Sequence, residues 1–437
     1  MAGSVNGREI ILETLLSITR DGEYSHIVLK NVLDKYQYLD KKERAFITRV
    51  TDGTLERMIE LDYIINQFSK VKVNKMKPVI RTVLRSSVYQ MKYMDSVPDS
   101  AVCNEAVKLV VKKGFVNLKG FVNGVLRSIS RGLADVKYPE KDKDVVAYLS
   151  VRYSLPEWIV KQWLETYEAD IVEKMGAEFL KEKPTSIRCN LSKISREELK
   201  IKLEMEGVKV EVSEELPYAL EICGYDYLAK LESFQQGDFS VQDISSMQVA
   251  HWAQPEKGNN IIDVCAAPGG KAIHLAEMLE GTGHVEARDL TSYKTGLIAE
   301  NIWRSGLSNI DAKVWDATVY DENAKETADI LIADLPCSGL GVFGKKTDLK
   351  YKITEKMQME LAALQKEILS VVHAYVKPGG KLLYSTCTIH RAENEENTNW
   401  FLKEHPEFAL VKEKQMIPGV DGGDGFYIAM FQKENHE

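Results

Sequence analysis

Two short stretches bring thiols to the ends of apolar runs. ADLPCSG (333–339) carries Asp334 and Cys337, and LLYSTCT (382–388) carries Cys387, fifty residues further on. A third apolar run, NIIDV, breaks into CAAPGGK (265–271), where small residues and Gly269-Gly270 let backbone approach a ligand closely. A helix starting there offers unpaired N–H groups. A thiolate is a nucleophile, and a nearby carboxyl group can hydrogen-bond or protonate a ring nitrogen. A lone cysteine at a strand end is more often an inert core thiol. Two thiols and a carboxylate on one sheet rim are a less expected combination. From the residue types, Cys337 is a nucleophile, an assistant to Cys387 or a buried thiol in a tight turn, and these stay open.

The glycine turn lacks the Gly-x-Gly-x-x-Gly spacing, so a pyrophosphate ligand is not implied. Asp289 ends the next strand-like run 20 residues after Gly269, the separation that brings a carboxylate to ribose hydroxyls. Asp316 and Asp334 end the third and fourth runs. One such aspartate would read as a helix cap. The ordered set suits a ribose, an adenine amine and a cationic group, which S-adenosylmethionine presents together. Methylation of carbon 5 of cytosine uses these same parts, because that carbon is a poor nucleophile until a thiolate adds to carbon 6. An acid on the ring nitrogen takes up the displaced electron density, and a base later removes the carbon-5 proton.

The elements that must position these residues form three regions. From residue 238 to 437, apolar strands alternate with helices, which predicts a parallel sheet covered on both faces, with ligands at the carboxyl ends of its strands. Residues 145–237 mix a helical segment, the strand-like TSIRC and VKVEVS and a helix, SREELKIKLEMEG, as a small α+β domain would. Residues 1–137 show helical periodicity in REIILETLLSITRD, KPVIRTVLRSSVYQMKYM and NLKGFVNGVLRSISR, predicting an all-α domain. The polar, lysine-rich GLADVKYPEKDKD (132–144) reads as the linker.

A chain of 437 residues has room for two or three domains, and 44% hydrophobic with 28% charged residues is ordinary for a soluble globular protein. No apolar run approaches the roughly 18 residues that span a bilayer. The N-terminal stretch shows no cleavage signature. Six cysteines without Cys-x-x-Cys spacing argue against structural zinc and against a disulfide scaffold, so no metal and a reducing, cytoplasmic setting are expected. The net charge of −8 divides into +7 over residues 1–150 and −15 over the rest, and 70–131 holds 13 basic against 3 acidic residues. Such a segment attracts polyanions or is simply a solvated helical face.

DVCAAPGGK, ADLPCSGLG and YSTCT, in this order, resemble the motifs of the RNA 5-methylcytosine methyltransferases. GDFSVQDISSM and DGFYIAMFQK resemble the flanks of that family's cofactor domain, and PTSIRCNLSK the start of its small RNA-binding domain. RAFITRVTDGTLERMIELDYIINQF and FVNGVLR resemble the all-helical RNA binder NusB. Joined, the two are the architecture of the small-subunit ribosomal RNA methyltransferase B type. Departures are Leu335, where alanine is commoner, and GVFGKKTDLKY, which lacks an arginine-rich form.

The resemblance implies a NusB-like domain, a small α+β RNA-binding domain and a Rossmann-like class I methyltransferase domain. It implies Cys387 as nucleophile, Cys337 in breakdown of the adduct, Asp334 on the cytosine and the methionine end of the cofactor, and Lys271 in the active site. Cys265, Ala266, Ala267, Pro268, Gly269, Gly270 and Lys271, with Asp289, Asp316 and Asp334, are the expected contacts of S-adenosylmethionine. Expected partners are small-subunit ribosomal RNA before full subunit assembly, no DNA and no membrane, for a monomeric chain. Transfer RNA or another ribosomal position as target, a DNA methyltransferase with Cys337 as nucleophile, and a non-catalytic RNA-binding factor are the competing readings.

Overall fold

A computed structural model describes residues 6–435, so the first five residues of the N-terminal stretch and the last two of the chain lie outside the description. The described residues form two compact units, one of residues up to 181 with 343–352, the other of 182–342 with 353 onward.

The first unit is helical. Its central helix, Pro78–Tyr93, has proline in its first turn, where no intrahelical N–H is needed. Residues 82–90 of that helix are all buried, so it is enclosed by its neighbours. Around it lie Gly7–Thr19, Lys41–Glu56, Met58–Phe68, Asp99–Lys112 and Lys119–Gly132, whose apolar faces share one core. The long segment after 145 is three helices, Val145–Tyr153, Glu157–Leu164 and Ala169–Phe179, and they belong to this unit. Segment 343–352 completes it: Phe343 packs on Trp163 and Phe179, and the buried Lys350 donates to the Glu56 carbonyl at 2.7 Å. Burial pushes Lys350 down to about 7 and, with Glu56 and Asp348, pushes Asp52 up to about 7.

The second unit has two sheets. Strands β1 (Thr185–Cys189), β2 (Lys209–Val212), β3 (Ala219–Cys223) and β4 (Phe239–Val241) make an antiparallel sheet in the order β2-β3-β1-β4. β4 starts one residue past the expected beginning of the cofactor domain, yet its hydrogen bonds go to β1, through Ile187, Arg188 and Cys189. The larger sheet comprises β5 (Asn260–Asp263), β6 (His284–Asp289), β7 (Ile310–Val314), β8 (Ala328–Asp334), β9 (Val376–Thr386), β10 (Phe408–Met416) and β11 (Phe426–Lys433). Its order is β10-β11-β9-β8-β5-β6-β7, parallel from β9 through β7 and antiparallel at β11 and β10. Apolar clusters cover both faces of this sheet, which explains why its central strands read as unbroken hydrophobic runs. The strand order reverses between β5 and β8, the place where such sheets open a crevice for ligands. This is the expected Rossmann-like methyltransferase sheet.

One close approach in the helical unit is testable. A Cβ on Gly53 would lie 2.0 Å from the Tyr89 ring of the central helix. Gly53→Ala is expected to lower stability by about 1–3 kcal/mol through overpacking, read as an earlier thermal unfolding transition of the full chain.

Candidate active site

The two thiols meet because β8 and β9 pair in parallel with Asp334 opposite Ser385. The pairing runs one step past β8, where Leu335 N–H donates to the Ser385 carbonyl at 3.1 Å. Both chains then turn, and Cys337 Sγ lies 3.1 Å from Cys387 Sγ. The Cys387 N–H also donates to Cys337 Sγ at 3.3 Å. Both thiols are partly exposed, as a rim site requires. Ser385 donates to Asp334 Oδ1 at 2.7 Å, and Lys271 Nζ donates to Asp334 Oδ2 at 2.6 Å while lying 5.3 Å from the centre of the Phe426 ring. Burial opposes the Lys271 charge, but Asp334, Asp263 and Cys387 outweigh it and hold its pKa above the usual range. The Cys337 thiol is pushed well up by its hydrogen bond to Cys387, by burial, and by the charges of Cys387, Glu393 and Asp334. That direction favours a protonated Cys337, and either sulfur can be the donor across the 3.1 Å contact.

The glycine turn lies between β5 and the helix Gly270–Met278. Gly269 has φ +105°, and a Cβ there would press to 3.1 Å from Ile273, so both conformation and space call for glycine. Ala266 N–H donates to the Arg288 carbonyl at 2.8 Å, and Asn301 Nδ2 to the Pro268 carbonyl at 2.9 Å. Asp289 takes part in the turn: Oδ2 accepts from Ala267 N–H at 3.0 Å, and Oδ1 from Leu290 N–H at 2.8 Å and pairs with Lys294 at 2.9 Å. Burial first, then nearby carboxylates, raises the Cys265 thiol, leaving it unreactive. Asp316 stands apart from these contacts. It is exposed, two residues beyond β7, and its Oδ1 accepts from the N–H and hydroxyl of Thr318.

Several functional neighbours have no strong sequence signal. Asp263 heads the glycine-turn motif and is buried, its Oδ1 only 3.4 Å from Cys265 N–H and its Oδ2 without a partner among the described residues. Burial, then Asp334, pushes its carboxyl up to about 8. An orphaned carboxyl oxygen at the start of a glycine turn fits a ligand with a donor or positive charge, as the nucleoside cofactor would bring. Arg188 of β1 is fully buried, donates to the Gly270 carbonyl at 2.9 Å and pairs with Glu277 at 2.8 Å, bracing the turn from the smaller sheet. Ser385 was visible only as part of YSTCT, since its role depends on the residue facing it. Among the described residues one group has metal-ligand spacing, His373, His405 and Glu407, with donor atoms within 4.8 Å. It precedes β9 and β10, at the end of the sheet away from the thiols.

The chain matches the family model for the 16S rRNA methyltransferase RsmB/F over residues 250–432. The NusB family model matches residues 5–131, and the ferredoxin-like domain of RsmF/B-like methyltransferases matches 155–224. A Bacillus subtilis protein named probable ribosomal RNA small subunit methyltransferase B is 37% identical, with 98% of each chain covered. This chain belongs to that methyltransferase family. A Synechocystis protein of the same name is 30% identical, covering 98% of this methyltransferase and all of the relative. The crystal structure of PH0851 superposes with TM-score 0.83 at 26% identity, over 98% of this chain and 99% of that one. NSun6 from Pyrococcus horikoshii, solved with SFG, shares the fold at TM-score 0.58 and 22% identity, over 64% of this chain and 99% of that one. The methyltransferase has no described helix long and apolar enough to cross a membrane.

Asp263 supplies a pH signature. Between an ordinary carboxyl value of about 4 and the folded value of about 8, the folded chain holds a proton that the unfolded chain has released, so stability falls as pH rises through that window. Asp263→Asn should flatten this fall. Thermal unfolding from pH 5 to 9 checks it, and parallel curves for the two proteins would refute the assignment.

Proposed function

We propose that this methyltransferase transfers a methyl group from S-adenosylmethionine to carbon 5 of a cytosine in small-subunit ribosomal RNA, with Cys387 as nucleophile and Cys337 as the release thiol. The observation that carries the reading is the 3.1 Å thiol pair beside Asp334 and Lys271, at the rim next to the glycine turn. Family membership supports methyl transfer to ribosomal RNA. The cofactor would be held by the 265–271 turn, with Asp289 at ribose hydroxyls and Asp316 and Asp334 toward the adenine and methionine ends. It supplies an electrophilic methyl group.

The residues divide the remaining work. Cys387 Sγ bonds to carbon 6 of the cytosine, and the displaced electron pair moves to the ring nitrogen and carbon 5. Asp334, oriented by Ser385 and Lys271, hydrogen-bonds the base. Cys387 acts as the thiolate once its proton has passed to solvent, and the Cys337 S–H at 3.1 Å can then donate to it. Once carbon 5 is methylated, a base removes its proton, those electrons re-form the 5,6 double bond, and Cys387 leaves as thiolate. The Cys337 S–H then stabilises the departing sulfur. The cytosine must be unstacked for a thiol to reach its face, so the target lies in a loop or an extrudable position.

The exposed basic residues Lys70, Lys72, Lys75, Lys77, Lys119, Arg127 and Arg131 of the helical unit are available to RNA phosphates. Pairing of Arg85 with Asp62, and of Lys112 and Lys113 with Glu9, commits other members of that stretch to the fold. In this reading 1–137, 145–237 and 238–437 are the helical RNA-binding, α+β RNA-binding and catalytic regions, with the helices of 145–179 packed in the helical unit and β4 in the smaller sheet, in a cytoplasmic monomer acting before subunit assembly is complete.

Bisulfite mapping tests the reading. Cells lacking the protein should lose one 5-methylcytosine from small-subunit ribosomal RNA, restored by the wild type and not by Cys387→Ala. An unchanged map overturns the target. In vitro, Cys387→Ala should lose turnover by about 10³-fold or more with no adduct. Cys337→Ala should instead accumulate a denaturant-stable protein–RNA complex.

A further inference from the structure

The turn carrying Cys337 is held by a buried carboxylate that the chemistry above leaves unused. Glu393 is fully buried in the short turn Arg391–Glu393, six residues beyond Cys387. Its Oε2 accepts from Ser338 N–H at 2.9 Å and from Gln365 Nε2 at 3.1 Å. Its Oε1 accepts from the Ser338 hydroxyl and lies 3.2 Å from His390 Nδ1. Gln365 Nε2 also donates to the Pro336 carbonyl at 2.8 Å. The residues on both sides of Cys337 are thus tied to one carboxylate, Ser338 directly and Pro336 through Gln365.

The same cluster reaches the other thiol. Thr388, next to Cys387, places its Oγ1 2.8 Å from Ser338 Oγ and accepts from Leu340 N–H at 3.3 Å. Gly341 N–H donates to the Cys387 carbonyl at 3.1 Å. Gln365, Thr388 and Glu393 are each 0% exposed and Ser338 1%, so water replaces none of these bonds. A buried carboxylate surrounded by donors is a poor device for stability alone, since apolar packing often serves as well. As a way of holding two turns in one geometry it has a clear use, because reaction rates respond steeply to misplacement of about 1 Å.

We infer that Glu393 is a positioning residue whose carboxylate clamps the Cys337 turn onto the Cys387 turn and so keeps the sulfurs close enough for release of the covalent adduct. The clamp itself is a statement about geometry, and its effect on release rests on the proposed cytosine-5 reaction.

Two readouts separate these parts. Diamide takes two electrons and two protons from a thiol pair, so the rate of Cys337–Cys387 disulfide formation, followed by peptide mass, reads the sulfur gap without RNA. Glu393→Ala should slow it by about tenfold or more. Glu393→Gln should remain close to wild type, because its amide oxygen can accept from Ser338 N–H and Gln365 while its NH₂ donates to Ser338 Oγ. With an unmethylated small-subunit ribosomal RNA transcript and S-adenosylmethionine, Glu393→Ala should accumulate the denaturant-stable complex, and Glu393→Gln should turn over. Ser338→Ala keeps the backbone and Gln365 bonds to the carboxylate, and stands in if Glu393→Ala does not fold. It should shift both readouts the same way. Wild-type disulfide rates in Glu393→Ala and Ser338→Ala overturn the clamp, as does Glu393→Gln failing like Glu393→Ala. Disulfide rates that shift as expected, with no RNA complex from wild type or Cys337→Ala, support the clamp and overturn the cytosine-5 reading instead.

Discussion

Parallel pairing of β8 with β9, in the register that sets Asp334 beside Ser385, brings together two thiols fifty residues apart. A slip of one residue would turn every side chain of a strand to the other face, removing Ser385 from Asp334 and re-aiming both turns. The register is secured by burial, since Leu331, Ile332 and Ala333 of β8 and Leu382, Leu383 and Tyr384 of β9 are all enclosed. Beyond the strand ends it is taken over by polar contacts, from Leu335 N–H through the Glu393 cluster. The catalytic half depends on this one seam.

Electrostatics at the seam follow from crowding. Asp263, Asp334, Cys337 and Cys387 share a partly dry rim with the Lys271 ammonium. Burial and like-charge repulsion push Asp263 and Cys337 toward their neutral forms, while Lys271 keeps its charge because carboxylates surround it. The site thereby holds protons on groups that a free chain would ionise sooner. A thiol kept protonated beside a second sulfur is a ready hydrogen-bond donor. That is the property the proposed release step would use.

The helical unit shows the same economy of charge. Its basic stretch reads in sequence as a polyanion surface or a solvated helical face, and part of it is consumed internally by Asp62, Glu60 and Glu9. The central helix is enclosed by helices of residues 7–132, while 343–352, from a distant part of the chain, joins the same unit at Trp163, Phe179 and Glu56. Lys350 is buried there with its ammonium on a helix-end carbonyl, an arrangement no local pattern announces.

The sequence by itself determined the strand–turn–helix alternation, the glycine turn, and the placing of Asp289, Asp334, Cys337 and Cys387 at or just past strand ends. Apolar runs and turn residues are local signals, and they are legible without knowing what packs against them. Only the tertiary structure decided which strands are neighbours, and therefore that Cys337 and Cys387 touch while Asp316 stays exposed on its own turn. It also decided the roles of Ser385, Arg188, Asp263 and Glu393. Glu393 sits in HRAENEEN, where an acidic residue reads as a solvated face, and it became the most connected carboxylate near the thiols only when the fold excluded water from it. Partners and dehydration are long-range properties, set by chain segments that no window of sequence contains.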